Sequence, residues 1–145
     1  MYIEASESAR SSFAVANPSE APVTVSIQLA GLDGTPAGIP VATLTVPAGG
    51  QVTKFIDEVF LELNDGFKGI ARLTASSGML VSAFLGTDNE RGDFVLTSTP
   101  LLDDSASRVV FFPYIVNGAG YRTEIITFGR QGSVMLSVID SEPIN

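Results

Sequence analysis

Between Val23 and Leu29 every second residue is apolar (Val23, Val25, Ile27, Leu29), and Thr24, Ser26 and Gln28 fill the places between. A two-residue period puts alternate side chains on opposite faces of an extended chain, so this segment reads as a strand with one dry face. Turn-forming residues then cut the chain at short intervals: Asn17-Pro18, Gly31-Leu32-Asp33-Gly34, Pro47-Ala48-Gly49-Gly50, Ser76-Ser77-Gly78 and Asp103-Asp104-Ser105-Ala106-Ser107. Further strand-like runs lie at 12–16, 44–46, 67–75, 79–85, 94–102, 108–116, 122–128 and 134–139. The runs 67–75 and 79–85, with only Ser76-Ser77-Gly78 between them, read as a hairpin. About ten short strands with frequent turns predict an all-β antiparallel sandwich or barrel.

One segment breaks the rhythm. Phe55 with Val59, and Ile56 with Phe60, fall at helical spacing. One short helix is predicted there, crossing between two packed antiparallel sheets.

Composition sets the function classes. The chain is 45% hydrophobic and 17% charged, enough to bury a core, and it has no Cys, His or Trp. Zinc sites built on Cys or His, thiol chemistry and every triad with a His base are thereby excluded. A net charge of −8 with eight basic residues supplies no basic stripe, which disfavours nucleic acid and anionic membrane surfaces. No run approaches the roughly 18 apolar residues of a spanning helix. Met1-Tyr2-Ile3-Glu4 lacks the basic region and apolar stretch of a signal peptide.

The most polar loop is Thr87 to Asp93. Asp88, Asn89, Glu90 and Asp93 carry the hard oxygens that calcium prefers, but in no EF-hand spacing, and a solvated turn accounts for them better. The loop also spells Arg91-Gly92-Asp93, a tripeptide known from integrin ligands. Asp57, Glu58 and Glu62 offer the paired acids of a glycosidase, yet acids on the wet face of a helical turn explain them. Ser76-Ser77 lacks a nucleophile-elbow context, and the alternation around Lys54 and Lys68 points both outward. Tyr121, in a Gly-rich turn, is the one aromatic placed as a sugar platform would be. No catalytic, cofactor-binding or metal residue is assigned, and no cofactor is expected.

Part of the opening recurs. Tyr2-Ile3 returns as Tyr114-Ile115 and Arg10-Ser11 as Arg122-Thr123, both 112 residues later. Val23, Val25 and Ile27 correspond to Val134, Leu136 and Val138 once one residue is deleted. The run from Phe112-Pro113-Tyr114 through Asn117-Gly118-Ala119-Gly120-Tyr121-Arg122-Thr123-Glu124-Ile125, with Phe13-Ala14-Val15-Ala16-Asn17-Pro18-Ser19, Gly69-Ile70-Ala71-Arg72-Leu73 and Gly92-Asp93-Phe94-Val95-Leu96, resembles the tandem immunoglobulin-like β-sandwich repeats of large secreted or surface bacterial proteins. The resemblance implies an immunoglobulin-like sandwich at the cell exterior, with no defined enzymatic activity. Gly129-Arg130 stands where that pattern has its Asn-Pro turn.

The expected organisation is a single β-sandwich unit over 1–145, with 1–102 one full repeat and 106–145 the truncated start of a second. Residues 106–145 either join the sandwich of their own chain or complete another. The expected function is a non-catalytic structural or adhesive module, secreted or surface-displayed, acting by packing and strand pairing. Its partners would be neighbouring modules or a second copy, with no membrane insertion. The alternative is a module that binds carbohydrate or another ligand through its end loops.

Overall fold

The computed structural model describes residues 1–89, 91–101, 117–118, 121–123 and 125. The chain divides into two compact units, Met1–Asp103 and Asp104–Asn145.

The first unit holds β1 (Tyr2–Ala5), β2 (Ala9–Ala16), β3 (Val23–Gly31), β4 (Ala42–Val46), β5 (Gln51–Phe55), α1 (Ile56–Val59), β6 (Phe67–Ala75), β7 (Leu80–Asp88) and β8 (Phe94–Thr99). Its strands pair antiparallel in the order β4-β3-β6-β1-β2-β7-β8, with β5 also on β2. The fold is therefore mostly antiparallel sheet, as the strand period predicts. All eight strands join one curled sheet, where the sequence reading expects two packed sheets.

The curl originates at β1. This strand pairs with β6 along its length, from Tyr2↔Ile70 to Ala5↔Phe67, but meets β2 at Ala5↔Arg10 alone. Beyond that point β5 takes the same edge of β2, from Ser12↔Phe55 to Ala16↔Gln51. The Glu4 N–H, left without a ladder partner on β2, donates instead to the buried Ser11 Oγ at 2.8 Å. One arm (β4-β3-β6-β1) and the other (β5-β2-β7-β8) then share a core. Ile3, Val25, Ile27, Leu29 and Ala71 from the first arm cluster with Phe13, Val15 and Ala83 from the second. Val23, Val25, Ile27 and Leu29 are all buried while Thr24 and Gln28 are exposed, as their alternation requires.

The helix is a single turn at the expected place. Ile56 and Phe60 are buried, and the Phe55 N–H donates to Glu58 Oε2 at 2.8 Å, satisfying one backbone donor at the helix start.

The 67–75 and 79–85 hairpin does not form. β6 pairs with β3 along Gly69–Ala75 and with β1 at Phe67–Ile70, while β7 pairs with β2 along Leu80–Thr87 and with β8 along Ala83–Asp88. Ser76 carries the chain onward along β3 instead of turning it back: its N–H donates to the Thr24 carbonyl at 3.0 Å, and its Oγ accepts the Thr24 N–H at 3.2 Å.

In the second unit, β9 (Asn117–Gly118) and β10 (Tyr121–Arg122) pair antiparallel, with Asn117 opposite Arg122 and Gly118 opposite Tyr121. The strand-like runs at 108–116 and 134–139, and most of 122–128, lie outside the described residues.

Candidate functional site

The 87–93 loop closes the β7–β8 hairpin, and Asn89 organises it. The Asn89 N–H donates to the Asp93 carbonyl at 3.0 Å, and the Gly92 N–H to the Asn89 carbonyl at 2.9 Å. Asn89 Oδ1 accepts two further backbone donors, Arg91 N–H and Asp93 N–H, each at 2.9 Å. Its Nδ2 donates to Asp93 Oδ2 at 3.1 Å. Gly92 supplies the left-handed backbone of the turn, with φ +78°. An amide oxygen already accepting two N–H groups has its lone pairs engaged, so the loop uses Asn89 as its own scaffold. Asp88 ends β7 opposite Phe94, and Glu90 lies outside the described residues. Among the described residues no three acidic side chains gather as a cation site would need. Arg91, Gly92 and Asp93 are all exposed at the hairpin tip.

Asp57 and Glu58, on α1, have structural partners. Asp57 Oδ2 accepts from the Arg10 guanidinium at 2.7 and 2.9 Å, and the Arg10 Cζ lies 4.2 Å from the centre of the Phe55 ring. Glu58 is the helix-start acceptor, and Glu62 is exposed in the following turn. Sequence reasoning missed the role of Glu58, although the signal was available: an acid three residues after the residue that opens a helix is half of a capping box. Asp57 also borders an open cleft of about 260 Å³, lined by Ala5, Ser6, Glu7, Leu63, Asn64 and Asp65. Its Oδ1 is covered and accepts no hydrogen bond among the described residues, while its Oδ2 is held by Arg10.

The remaining candidates are dispersed. Lys68 Nζ pairs with Glu4 Oε1 at 3.1 Å, and the Tyr2 hydroxyl donates to Glu4 Oε2 at 3.0 Å. Lys54 sits half-buried on β5, against the expectation that it points fully outward. Ser76 Oγ serves the Thr24 backbone. Tyr121 lies in β10, with its side chain outside the described residues. The described geometry brings no nucleophile and base together.

No family model matches the chain, and no curated protein or solved structure matches it either.

Proposed function

We propose that the chain is a non-catalytic structural module of an extracellular or surface protein, immunoglobulin-like in its sandwich arrangement and followed by the opening of a second copy. It acts through packing and strand pairing. One observation carries this reading. Ala5 stands opposite Arg10 in the first unit, and Asn117 stands opposite Arg122 in the second. Each residue of the second pair lies 112 positions after its counterpart, the same step that relates Tyr2-Ile3 to Tyr114-Ile115. A sequence repeat whose strand register repeats with it is the mark of a tandem array, in which each unit is one supersecondary design used again.

The curled sheet supports the finer assignment. β1 ends one arm and meets β2 of the other at Ala5↔Arg10, and the arms enclose one core in the manner of two sandwich layers joined at one side. The engaged side chains in the 87–93 loop and around α1 support a structural role for both regions.

A glycan panel read by amide chemical shifts of the full chain tests the function. Unmoved shifts across the panel are expected. Saturable shifts clustered in the Gly31–Thr35 or Asp88–Asp93 loops would replace this reading with a carbohydrate-binding one.

A further inference from the structure

β8 is the most exposed strand of the first unit, with five of its six residues open to solvent. Phe94, Val95 and Leu96 are 57%, 43% and 54% exposed. They occupy both faces of the sheet. Thr99 lies opposite the buried Ala83 and Val95 opposite Thr87, so Val95 is on the core side; Phe94 and Leu96 are on the other side. Apolar residues on both faces mark a strand whose faces are covered, and an apolar edge strand is a ready template for pairing with another chain. Yet among the described residues no strand pairs with the edge of β8 that faces away from β7.

The other open edges are guarded. β4 is bracketed by Pro40 and Pro47 and turns only Thr43 and Thr45 fully to solvent. β5 carries Lys54 and runs straight into α1. Proline, lysine and an abrupt end are the usual protections of an edge strand. Phe94 to Thr99 contains neither a charge nor a proline.

We propose that β8 pairs antiparallel with β8 of a second copy of this chain, across a two-fold axis. The proposal narrows the strand-pairing reading above to one edge and one partner, and it rests on self-complementarity. Continuous faces require paired residues of the same parity, so pairing about Leu96 sets Leu96 against its own copy, Val95 against Thr97 and Phe94 against Ser98. The largest side chain meets the smallest, and valine meets its near-isostere threonine. No charge opposes a like charge, since Phe94 to Thr99 carries none. The apolar stripe of Phe94 and Leu96 then continues across the axis into the partner's, and a two-fold contact closes at the dimer.

The chain has no cysteine, so Leu96→Cys introduces a single thiol. Directly opposed residues in an antiparallel pair lie about 4.5–5.5 Å apart at Cα, within reach of a disulfide. Mild oxidation of the full-length variant should give a covalent dimer, and a Thr43→Cys control on β4 should not. Sedimentation of the unmodified chain over a concentration range should show a dissociating dimer. Leu96→Lys, which opposes two ammonium groups, should raise its dissociation constant at least tenfold while leaving the circular dichroism unchanged. A chain monomeric at every concentration overturns the proposal. So does a dimer that ignores Leu96→Lys, and so does a Leu96→Cys thiol shielded inside its own monomer, which would make another segment of the same chain the occupant. Each of these leaves the glycan-panel result standing, so failure of this contact is separable from failure of the structural-module reading.

Discussion

The side-chain amide of Asn17 reaches the backbone carbonyl of Val46 at 3.2 Å, tying the turn after β2 to the end of β4. The same Nδ2 also donates to the Ala21 and Pro47 carbonyls at 2.7 and 3.1 Å, while Oδ1 accepts from the Ser19 N–H and hydroxyl. Asn17 is 1% exposed, so the groups it serves have little access to replacement water. Asn17→Ala should cost roughly 2–3 kcal/mol, the penalty for orphaned buried polar groups. Asn17→Asp should cost more at neutral pH, because a carboxylate donates to none of the three carbonyls. Urea titrations with an unchanged slope check both. A loss below about 0.5 kcal/mol for Asn17→Ala would contradict the role.

Two glycines make close approaches of different kinds. A Cβ on Gly69 would run into the backbone carbonyl of Ala30 on the neighbouring β3, whereas one on Gly86 would meet the far end of the Phe94 ring. Backbone cannot move aside without breaking the β3–β6 ladder, but an exposed ring can swing away. Gly69→Ala should therefore destabilise by about 1–3 kcal/mol, and Gly86→Ala by less than about 1 kcal/mol. Thermal melts of the two variants should rank in that order. Equal losses would show that the Phe94 ring is fixed.

Arg10 stacks on Phe55 and pairs with Asp57, with the Arg10 and Asp57 side chains 44% and 40% exposed. A pair that wet contributes about 0.2–1 kcal/mol, and the ring contact about 0.5–1 kcal/mol more. In a double-mutant cycle, the Arg10→Ala and Asp57→Asn coupling should shrink as salt is added, while an Arg10→Ala and Phe55→Leu coupling should change less. A salt-independent Arg10–Asp57 coupling would contradict the exposed-pair account.

Asp33 accepts from the Thr35 hydroxyl at 2.7 Å and the Thr35 N–H at 3.0 Å. These bonds favour the ionised carboxylate and hold its pKa below the ordinary 3.8, the hydroxyl contributing most. A depressed folded-state pKa stabilises the fold above the unfolded value of 3.8, and this contribution is lost as pH falls through the lower folded value. Carboxyl shifts followed by NMR should place the Asp33 midpoint below 3.8, and Thr35→Val should move it upward. A midpoint at 3.8 that Thr35→Val leaves in place would contradict the assignment.

Faces were legible in the sequence, and neighbours were not. The alternation in β3 and the spacing of Ile56 and Phe60 identify buried sides because burial acts on each residue where it stands. Which strand lies beside which depends on contacts across the chain, so the short Ser76-Ser77-Gly78 link reads as a hairpin, although β6 pairs with β3 and β1 and β7 with β2 and β8. β5 escaped notice because none of its five residues is fully buried, which leaves no strong alternation to read. In the 87–93 loop the residue types were legible as oxygen donors. The use of Asn89 Oδ1 as a backbone acceptor was not, since it depends on how the loop closes. β8 falls within the strand-like run at 94–102, but its open edge is not legible, because an apolar run looks the same in sequence whether another strand pairs with it or not.

The register of the second hairpin bears most directly on the account. Cross-strand proton contacts measured by NMR on the full chain report which backbone residues oppose one another. The account expects Asn117 opposite Arg122, the counterpart 112 residues later of Ala5 opposite Arg10, with both pairs seen in the same spectrum. Arg122 found opposite Gly118, a slip of one residue that breaks the common step, would contradict a second copy of the opening.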